Sequence, residues 1–134
     1  MGVYPAPGVR TSSDGNEATS PVTADVWAEH SIWVQDPQYT LALSGGVTAF
    51  HILPGSANLI GGRGVTVKNL QRNTINSMKF PEAPHSLKMA CGENPKRVYG
   101  NRQQAPSTRM GNIAGYRKAW IEAEAYLNRL NEYE

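Results

Sequence analysis

A lysine on a short strand and a glutamate just behind it are the residues of this sequence best suited to chemistry. Residues 86–91 predict a strand, and because side chains alternate between the two faces of a strand, Lys88 shares a face with the small residues Ser86 and Ala90. If that face is turned inward, the Lys88 amine loses hydration and becomes reactive. Glu93 follows the strand and can act as a ligand or an acid. An edge-strand lysine that faces water and a solvated loop carboxylate are the simpler alternatives, and the pattern leaves both open.

A glycine-rich stretch supplies the candidates for substrate binding. Residues 47–53 are rich in β-branched and aromatic side chains and predict a strand, which a Pro-Gly pair ends. The next residues, SANLIGGRG, predict a polar loop whose glycines let backbone N–H groups approach a bound molecule. Strands that end in such loops build the sites of many α/β folds. We therefore predict substrate binding at Ser56, Asn58 and Arg63, although surface solubility is the simpler explanation of the arginine.

The histidines and the cysteine do not form a recognisable metal motif in the sequence. His30, His51 and His85 lie far apart, and no pair has the short spacing of a helical or strand metal site. We predict structural roles for all three. Cys91 has no histidine close to it in sequence and is predicted to be a buried, small apolar residue. No residue is assigned as catalytic.

Strands that alternate with helices must position these residues, which indicates an α/β organisation. Residues 1–22 combine prolines, glycines and small polar residues without periodicity, and predict a long N-terminal loop. Short helices are predicted around residues 23–35, 37–44 and 73–80. Residues 65–67 predict a short strand, and residues 96–107 a polar loop.

The clearest element is a C-terminal helix over residues 112–133, with Asn112 as its cap. Its apolar side chains recur every three or four positions, which places them on one face of a helix. The residues on that face are Ile113, Tyr116, Trp120, Ala123, Leu127 and Leu130.

The composition describes one small domain, or part of one. Of 134 residues, 40% are hydrophobic and 18% charged, so the chain can bury a core. A net charge of +2, from scattered basic residues, gives no reason to expect a nucleic-acid partner. The single cysteine excludes an internal disulfide and favours a reducing compartment, which we take to be the cytoplasm. No apolar run approaches about 18 residues, so no membrane span is predicted.

Three stretches of the sequence resemble one protein family: HILPGSANLIGGRGVTVKN, LKMACGENPKRVYG and APSTRMGNIAGYRKAW. They are similar to the imidazolonepropionase-like branch of the metal-dependent amidohydrolase superfamily, over nearly the whole chain. The resemblance implies a (β/α)8 barrel with its site at the carboxyl ends of parallel strands. It also implies hydrolysis of non-peptide C–N bonds in a small amide, cyclic amide or amidine, with a divalent metal, zinc first, that activates water.

Carried over residue by residue, the resemblance assigns metal binding to Lys88, as the carboxylated bridging ligand, with Glu93 as the second choice. The family's first His-x-His pair would precede Met1, and two further histidines and the catalytic aspartate would follow Glu134. A whole barrel takes about 250 residues, so 134 residues would form only part of one, with long loops. The resemblance thus predicts an internal fragment that is inactive alone.

Such a fragment would have a small-molecule substrate and open sheet edges, which favour the missing barrel half or further copies of itself as partners. Two alternatives remain open. One is a non-catalytic module that binds a small ligand through the glycine loop without metal. The other is a nonfunctional remnant of the barrel.

Overall fold

The computed structural model of the chain describes residues 1–133 and is built around a three-stranded antiparallel sheet. Its strands are β1 (Ala49–Ile52), β2 (Ile60–Lys68) and β3 (Ser86–Met89). β2 lies in the middle and pairs antiparallel with both neighbours. β1 and β3 therefore run in the same direction but are separated by β2.

Three α-helices and three short 3-10 turns complete the described residues. The helices are α1 (Pro37–Ser44), α2 (Glu93–Gly100) and α3 (Arg109–Tyr133). The 3-10 turns are Arg10–Ser12, Ala28–Ser31 and Ile75–Ser77.

The predicted partial (β/α)8 unit of parallel strands is wrong. The strands predicted at residues 47–53 and 86–91 are present in shortened form as β1 and β3, but the residues predicted as a glycine loop begin β2. Glycine is required in this strand because other segments lie directly on its backbone. Gly62 has φ +110° beside a β-bulge, and a Cβ there would collide with the Val26 carbonyl oxygen. Glycines that predict a loop here permit close packing of a central strand instead.

Two short helices are shorter than predicted, and one helix occurs where a loop is predicted. Residues 23–35 and 73–80 contain only the 3-10 turns Ala28–Ser31 and Ile75–Ser77. In contrast, α2 contains Pro95 and continues to Gly100, into the loop predicted at residues 96–107. A proline is compatible with the first turn of a helix, because the N–H groups there have no partner within the helix.

The predicted helix at residues 37–44 is confirmed as α1, and its start is fixed by Asp36. The buried Asp36 carboxylate accepts hydrogen bonds from the backbone N–H of Gln38 at 3.0 Å, and Pro37 occupies the first helical position. The same carboxylate accepts from the backbone N–H of Gly2 at 2.8 Å. Asp36 therefore joins the N-terminus of the chain to α1.

The hydrophobic core lies on one face of β1 and β2, covered by the N-terminal segment, α1 and the turn before β3. Ile52 and Val65 are cross-strand partners on this face, as are Phe50 and Val67. The buried members of the core are Val3, Ala28, Tyr39, Ile52, Val65, Val67 and Met78.

Replacement of Tyr39 by phenylalanine is expected to leave stability at pH 7 unchanged or slightly higher. The buried Tyr39 hydroxyl has no hydrogen-bond partner within residues 1–133, so its removal exposes no other polar group. Burial, with a smaller contribution from Asp36, raises the pKa of Tyr39 from 10.0 to about 12. Because the folded state resists ionisation, this tyrosine makes stability fall as pH rises from 10 towards 12. Tyr39→Phe should therefore lose less stability above pH 10.

Urea unfolding of both proteins at pH 7 and above pH 10 measures this effect. Tyr126→Phe, at a side chain that is 62% exposed, is the control and should match the parent at both pH values. A loss greater than about 1 kcal/mol at pH 7 in Tyr39→Phe would contradict the prediction, because it would indicate a hydrogen bond to the hydroxyl.

The predicted C-terminal helix is present as α3, although it begins earlier, at Arg109. Asn112, predicted as its cap, is instead buried within the first turn and donates hydrogen bonds to the carbonyl oxygens of Cys91 (2.9 Å) and Gly92 (3.2 Å). A Cβ on Gly115 would collide with Leu59, so glycine permits close packing of α3 on the sheet. Among residues 1–133, no helix combines the length and hydropathy needed to cross a bilayer.

Candidate functional site

β3 ends beside the start of β2, where Met89 pairs with Ile60, and we call this end of the sheet the sheet end. The turn between β1 and β2 lies there beside the first turn of α2. The Asn94 side chain donates a hydrogen bond to Ser56 Oγ over 2.6 Å and so joins the two segments. Glu93 is the first residue of α2, directly precedes Asn94 in the sequence and is exposed to solvent. The fold thus brings Ser56 next to the start of the helix that carries Glu93.

One face of the sheet, which we call the polar face, carries Lys88 together with His51, Thr66 and Ser86. His51 and Thr66 are cross-strand partners, and Ser86 and Lys88 lie two residues apart on β3. Lys88 is half-buried and pairs in register with Gly62. The Lys88 side chain is therefore neither enclosed in the protein nor fully exposed to solvent.

His51 connects all three strands across the polar face. Its Nε2 lies 2.8 Å from Ser86 Oγ on β3, and its Nδ1 lies 2.9 Å from Thr66 Oγ1 on β2. The imidazole reaches over Gly64, which has no side chain to block it; a Cβ there would lie 2.6 Å from Ser86 Oγ. These hydrogen bonds fix the position of Ser86 and, through the backbone of β3, the position of Lys88.

Asn58 is buried and its side chain is fully engaged within the protein. Its amide N–H groups face the carbonyl oxygen of Ser20 at 2.9 Å, Tyr99 Oη at 3.1 Å and Thr23 Oγ1 at 3.2 Å. Its Oδ1 accepts from Asn16 Nδ2 at 3.0 Å. We call Asn16, Thr23, Asn58 and Tyr99 the Asn58 cluster. It attaches the N-terminal loop and α2 to the sheet end.

Tyr99 stays a hydrogen-bond donor in the Asn58 cluster because its environment opposes ionisation. Burial raises the pKa of the Tyr99 phenol above its usual value, while the Arg102 charge lowers it to a smaller extent. The Tyr99 hydroxyl donates to the Ser20 carbonyl oxygen over 2.6 Å. The cluster therefore keeps its hydrogen-bond pattern at neutral pH.

Arg63 lies away from Lys88 and Ser56. It pairs with Leu87, so its side chain leaves the sheet on the face opposite to the polar face. There the exposed guanidinium stacks over Trp27, 4.5 Å from the ring centroid. His85 contacts the same indole, with ring centroids 5.1 Å apart. The structure does not bring Arg63 together with the other predicted substrate-binding residues.

A complete metal centre does not form from the described residues alone. Within residues 1–133, no group of three or more histidine, cysteine, aspartate and glutamate side chains is placed to hold an ion. His51 binds hydroxyl groups, His85 contacts Trp27, and His30 stacks on the same indole. The predicted roles of Lys88 and Glu93 as metal ligands stay predictions. Cys91, predicted to be buried, is exposed.

Two known proteins match nearly all of this chain. A crystal structure of an amidohydrolase from Thermotoga maritima MSB8 superposes with a TM-score of 0.90 at 44% identity, over 98% of this chain. Amidohydrolase tasK from Hapsidospora irregularis is 36% identical, also over 98% of this chain. The chain belongs to the amidohydrolase family. No protein-family model matches the sequence.

This amidohydrolase chain is much shorter than the relatives it matches. It covers 34% of the Thermotoga chain and 14% of tasK. The TM-score shows that the antiparallel fold described above also occurs within a larger amidohydrolase.

Sequence reasoning missed the residues that hold the site of this amidohydrolase together. Thr66 and Ser86 were not singled out, because their contact with His51 depends on the position of β2. Tyr99 lies within the loop predicted at residues 96–107, whereas the structure places it, together with Asn94, on α2. The apolar-polar spacing of residues 95–99 was the available signal for a helix, and Pro95 obscured it.

Proposed function

We propose that this chain is one segment of a metal-dependent amidohydrolase that hydrolyses a non-peptide C–N bond in a small substrate. The observation that supports this most is the match to two amidohydrolases over 98% of the chain. The stretches HILPGSANLIGGRGVTVKN, LKMACGENPKRVYG and APSTRMGNIAGYRKAW resemble the imidazolonepropionase-like branch. This resemblance favours a small amide, cyclic amide or amidine as substrate. Zinc is the metal that we propose for the complete protein.

In this proposal, the sheet end contributes part of the site. Lys88 and Glu93 supply two of the metal ligands, and Ser56, beside the start of α2, contacts the substrate. Asn58 acts indirectly, because its amide is occupied within the Asn58 cluster. Residues 1–133 do not hold a full ligand set, so the remaining ligands come from polypeptide outside this range.

We expect the isolated chain to hydrolyse no amide at a useful rate, even with zinc added. The physical reason is that Lys88 and Glu93 alone cannot hold an ion and an activated water in the geometry that hydrolysis requires. The measurement is turnover of a panel of cyclic amides, amidines and N-acyl amino acids by the purified chain, with the Thermotoga amidohydrolase assayed beside it. Zinc-dependent turnover that Lys88→Ala abolishes would contradict this prediction.

The ligand assignment is tested in a chimera, in which this chain replaces the matching third of the Thermotoga amidohydrolase. The 44% identity and the TM-score of 0.90 make this exchange compatible with the larger fold. Lys88→Ala and Glu93→Gln should each lower bound zinc and turnover, because each removes a ligand. Lys96→Ala, at a half-buried lysine on α2, is the control. Unchanged zinc content in both site variants would exclude these two residues as ligands.

The alternative of a small-ligand module that uses a glycine loop receives no structural support. The glycines at positions 61, 62 and 64 lie within β2, where Gly62 and Gly64 pair with β3 and Gly61 lies at the β-bulge. Residues 60–64 of the predicted glycine loop therefore form part of a strand.

A further inference from the structure

One apolar stripe of α3 is mostly uncovered within residues 1–133. Its members follow the alternating three-and-four spacing of a heptad seam, and we call them the α3 stripe: Ile113, Tyr116, Trp120, Ala123, Leu127 and Leu130. The exposed fractions are 57% at Ile113, 56% at Trp120, 54% at Leu127 and 42% at Leu130. A stripe with this spacing is typical of a helix face that is buried against another helix.

Only the first part of α3 is held by the rest of the described fold. Asn112 and Tyr116 donate hydrogen bonds to the backbone of the segment after β3, and Gly115 packs on Leu59. From Trp120 to the end of the helix, no described residue is buried. A helical segment as short as residues 120–133 is only marginally stable in water without tertiary packing. The second half of α3 therefore needs a partner.

Exposed apolar side chains also occur on other parts of the surface. Leu87 and Met89 are 42% and 38% exposed on β3, which is an edge strand of the sheet. Leu41 and Leu43 are 75% and 42% exposed on α1. A two-fold pair of identical chains buries one patch on each copy, whereas a larger body that surrounds the chain covers several. The distribution of these residues favours a larger body.

We infer that the α3 stripe is an interface for a helix from the part of an amidohydrolase polypeptide that this chain does not include. The inference rests on the proposed function, and the comparison supplies the occupant: the Thermotoga chain contains this fold with a TM-score of 0.90, yet 34% coverage leaves about two thirds of it outside the match. The heptad spacing of the stripe favours a helix as the element in contact.

Substitution of Trp120 in two contexts tests the inference. In the isolated chain Trp120 is 56% exposed, so Trp120→Ala should change the melting temperature little. In the chimera with the Thermotoga amidohydrolase the indole is buried, and the same substitution should lower the melting temperature by about 5 °C or more. Lys118→Ala, on the same helix at an exposed position, is the control in both contexts. An equal effect of Trp120→Ala in both contexts would overturn the inference.

Hydrogen exchange provides a second readout that does not require the variant to fold. Backbone amides from Trp120 to Tyr133 should exchange rapidly in the isolated chain and slowly in the chimera. Rapid exchange in a folded chimera would overturn the inference. So would sedimentation of the isolated chain as a dimer that Trp120→Ala dissociates, because the occupant would then be a second copy. Loss of turnover in a chimera with a protected α3 would count against the proposed function only.

Discussion

Asn58→Ala is expected to lower the free energy of unfolding by about 3 kcal/mol, the largest effect of any single truncation considered for this chain. Asn58 is 1% exposed and donates to Ser20 and Thr23 in the N-terminal segment and to Tyr99 on α2. Alanine removes all of these donors at once and leaves the hydroxyl groups of the buried residues Thr23 and Tyr99 with fewer partners. Unsatisfied buried polar groups carry their full desolvation penalty.

Urea unfolding followed by circular dichroism measures this prediction, and Asn76→Ala is its matched control. Asn76 lies exposed in a 3-10 turn, so its truncation should cost no more than about 0.5 kcal/mol. A loss below about 1 kcal/mol in Asn58→Ala would contradict the hydrogen-bond pattern described for the Asn58 cluster.

The second partner in the cluster distinguishes a network from a set of independent bonds. Tyr99→Phe removes only the hydroxyl that accepts from Asn58 and donates to Ser20. We expect a loss of about 1–2 kcal/mol for this variant. The double variant Asn58→Ala, Tyr99→Phe should be more stable than the sum of the two losses predicts, because both substitutions break the same contact. Strict additivity would show that the two side chains act separately.

The sequence predicted the fold best where a single segment determines the structure. α1, with Asp36 before Pro37, and the periodic helix α3 depend on local capping and spacing, and both occur. β1 occurs within a predicted strand because β-branched and aromatic residues favour extended structure. β3 occurs within the other predicted strand although it contains neither kind of residue. The direction of strand pairing was wrong, because it depends on β2, and local signals at residues 60–64 favour a loop over a strand.

The candidate site depends on contacts between distant segments, and these were not predictable from one sequence. Ser56 meets Asn94, and Asn58 meets Tyr99, only because α2 packs beside the turn after β1. The sequence placed Lys88 correctly on a strand face with Ser86, since alternation is a local property. It could not show that His51 would bond to that same face. The spacing predicts that the residues of the α3 stripe share one helix face, but it does not show what covers that face, and residues 1–133 leave most of it exposed.

Gly64→Ala is expected to lower the free energy of unfolding by about 2–4 kcal/mol. A Cβ at this position would lie 2.5 Å from Leu53 Cδ2, 2.6 Å from Ser86 Oγ and 3.1 Å from the Ile52 carbonyl oxygen. The backbone of the central strand cannot retreat without disturbing its pairing with both β1 and β3. Gly45→Ala is the matched control: its φ of −86° suits alanine, and the nearest atom to the new Cβ is 3.4 Å away. A loss equal to that of Gly45→Ala would contradict the close packing.

The effect of Gly64→Ala should extend to Lys88 if the polar face positions that residue. The new methyl group separates Ser86 from His51, so the hydrogen bond between them should break, which 15N spectra of the imidazole detect through altered ring-nitrogen shifts. The Ser86→Ala, Gly64→Ala double variant removes one of the clashing atoms and should recover part of the lost stability. In the chimera with the Thermotoga amidohydrolase, Gly64→Ala should also lower zinc content while Gly45→Ala does not, because the displaced β3 carries Lys88. A Gly64→Ala chimera that is destabilised but retains its full zinc content would mean that Lys88 is not held for metal binding by this face of the sheet.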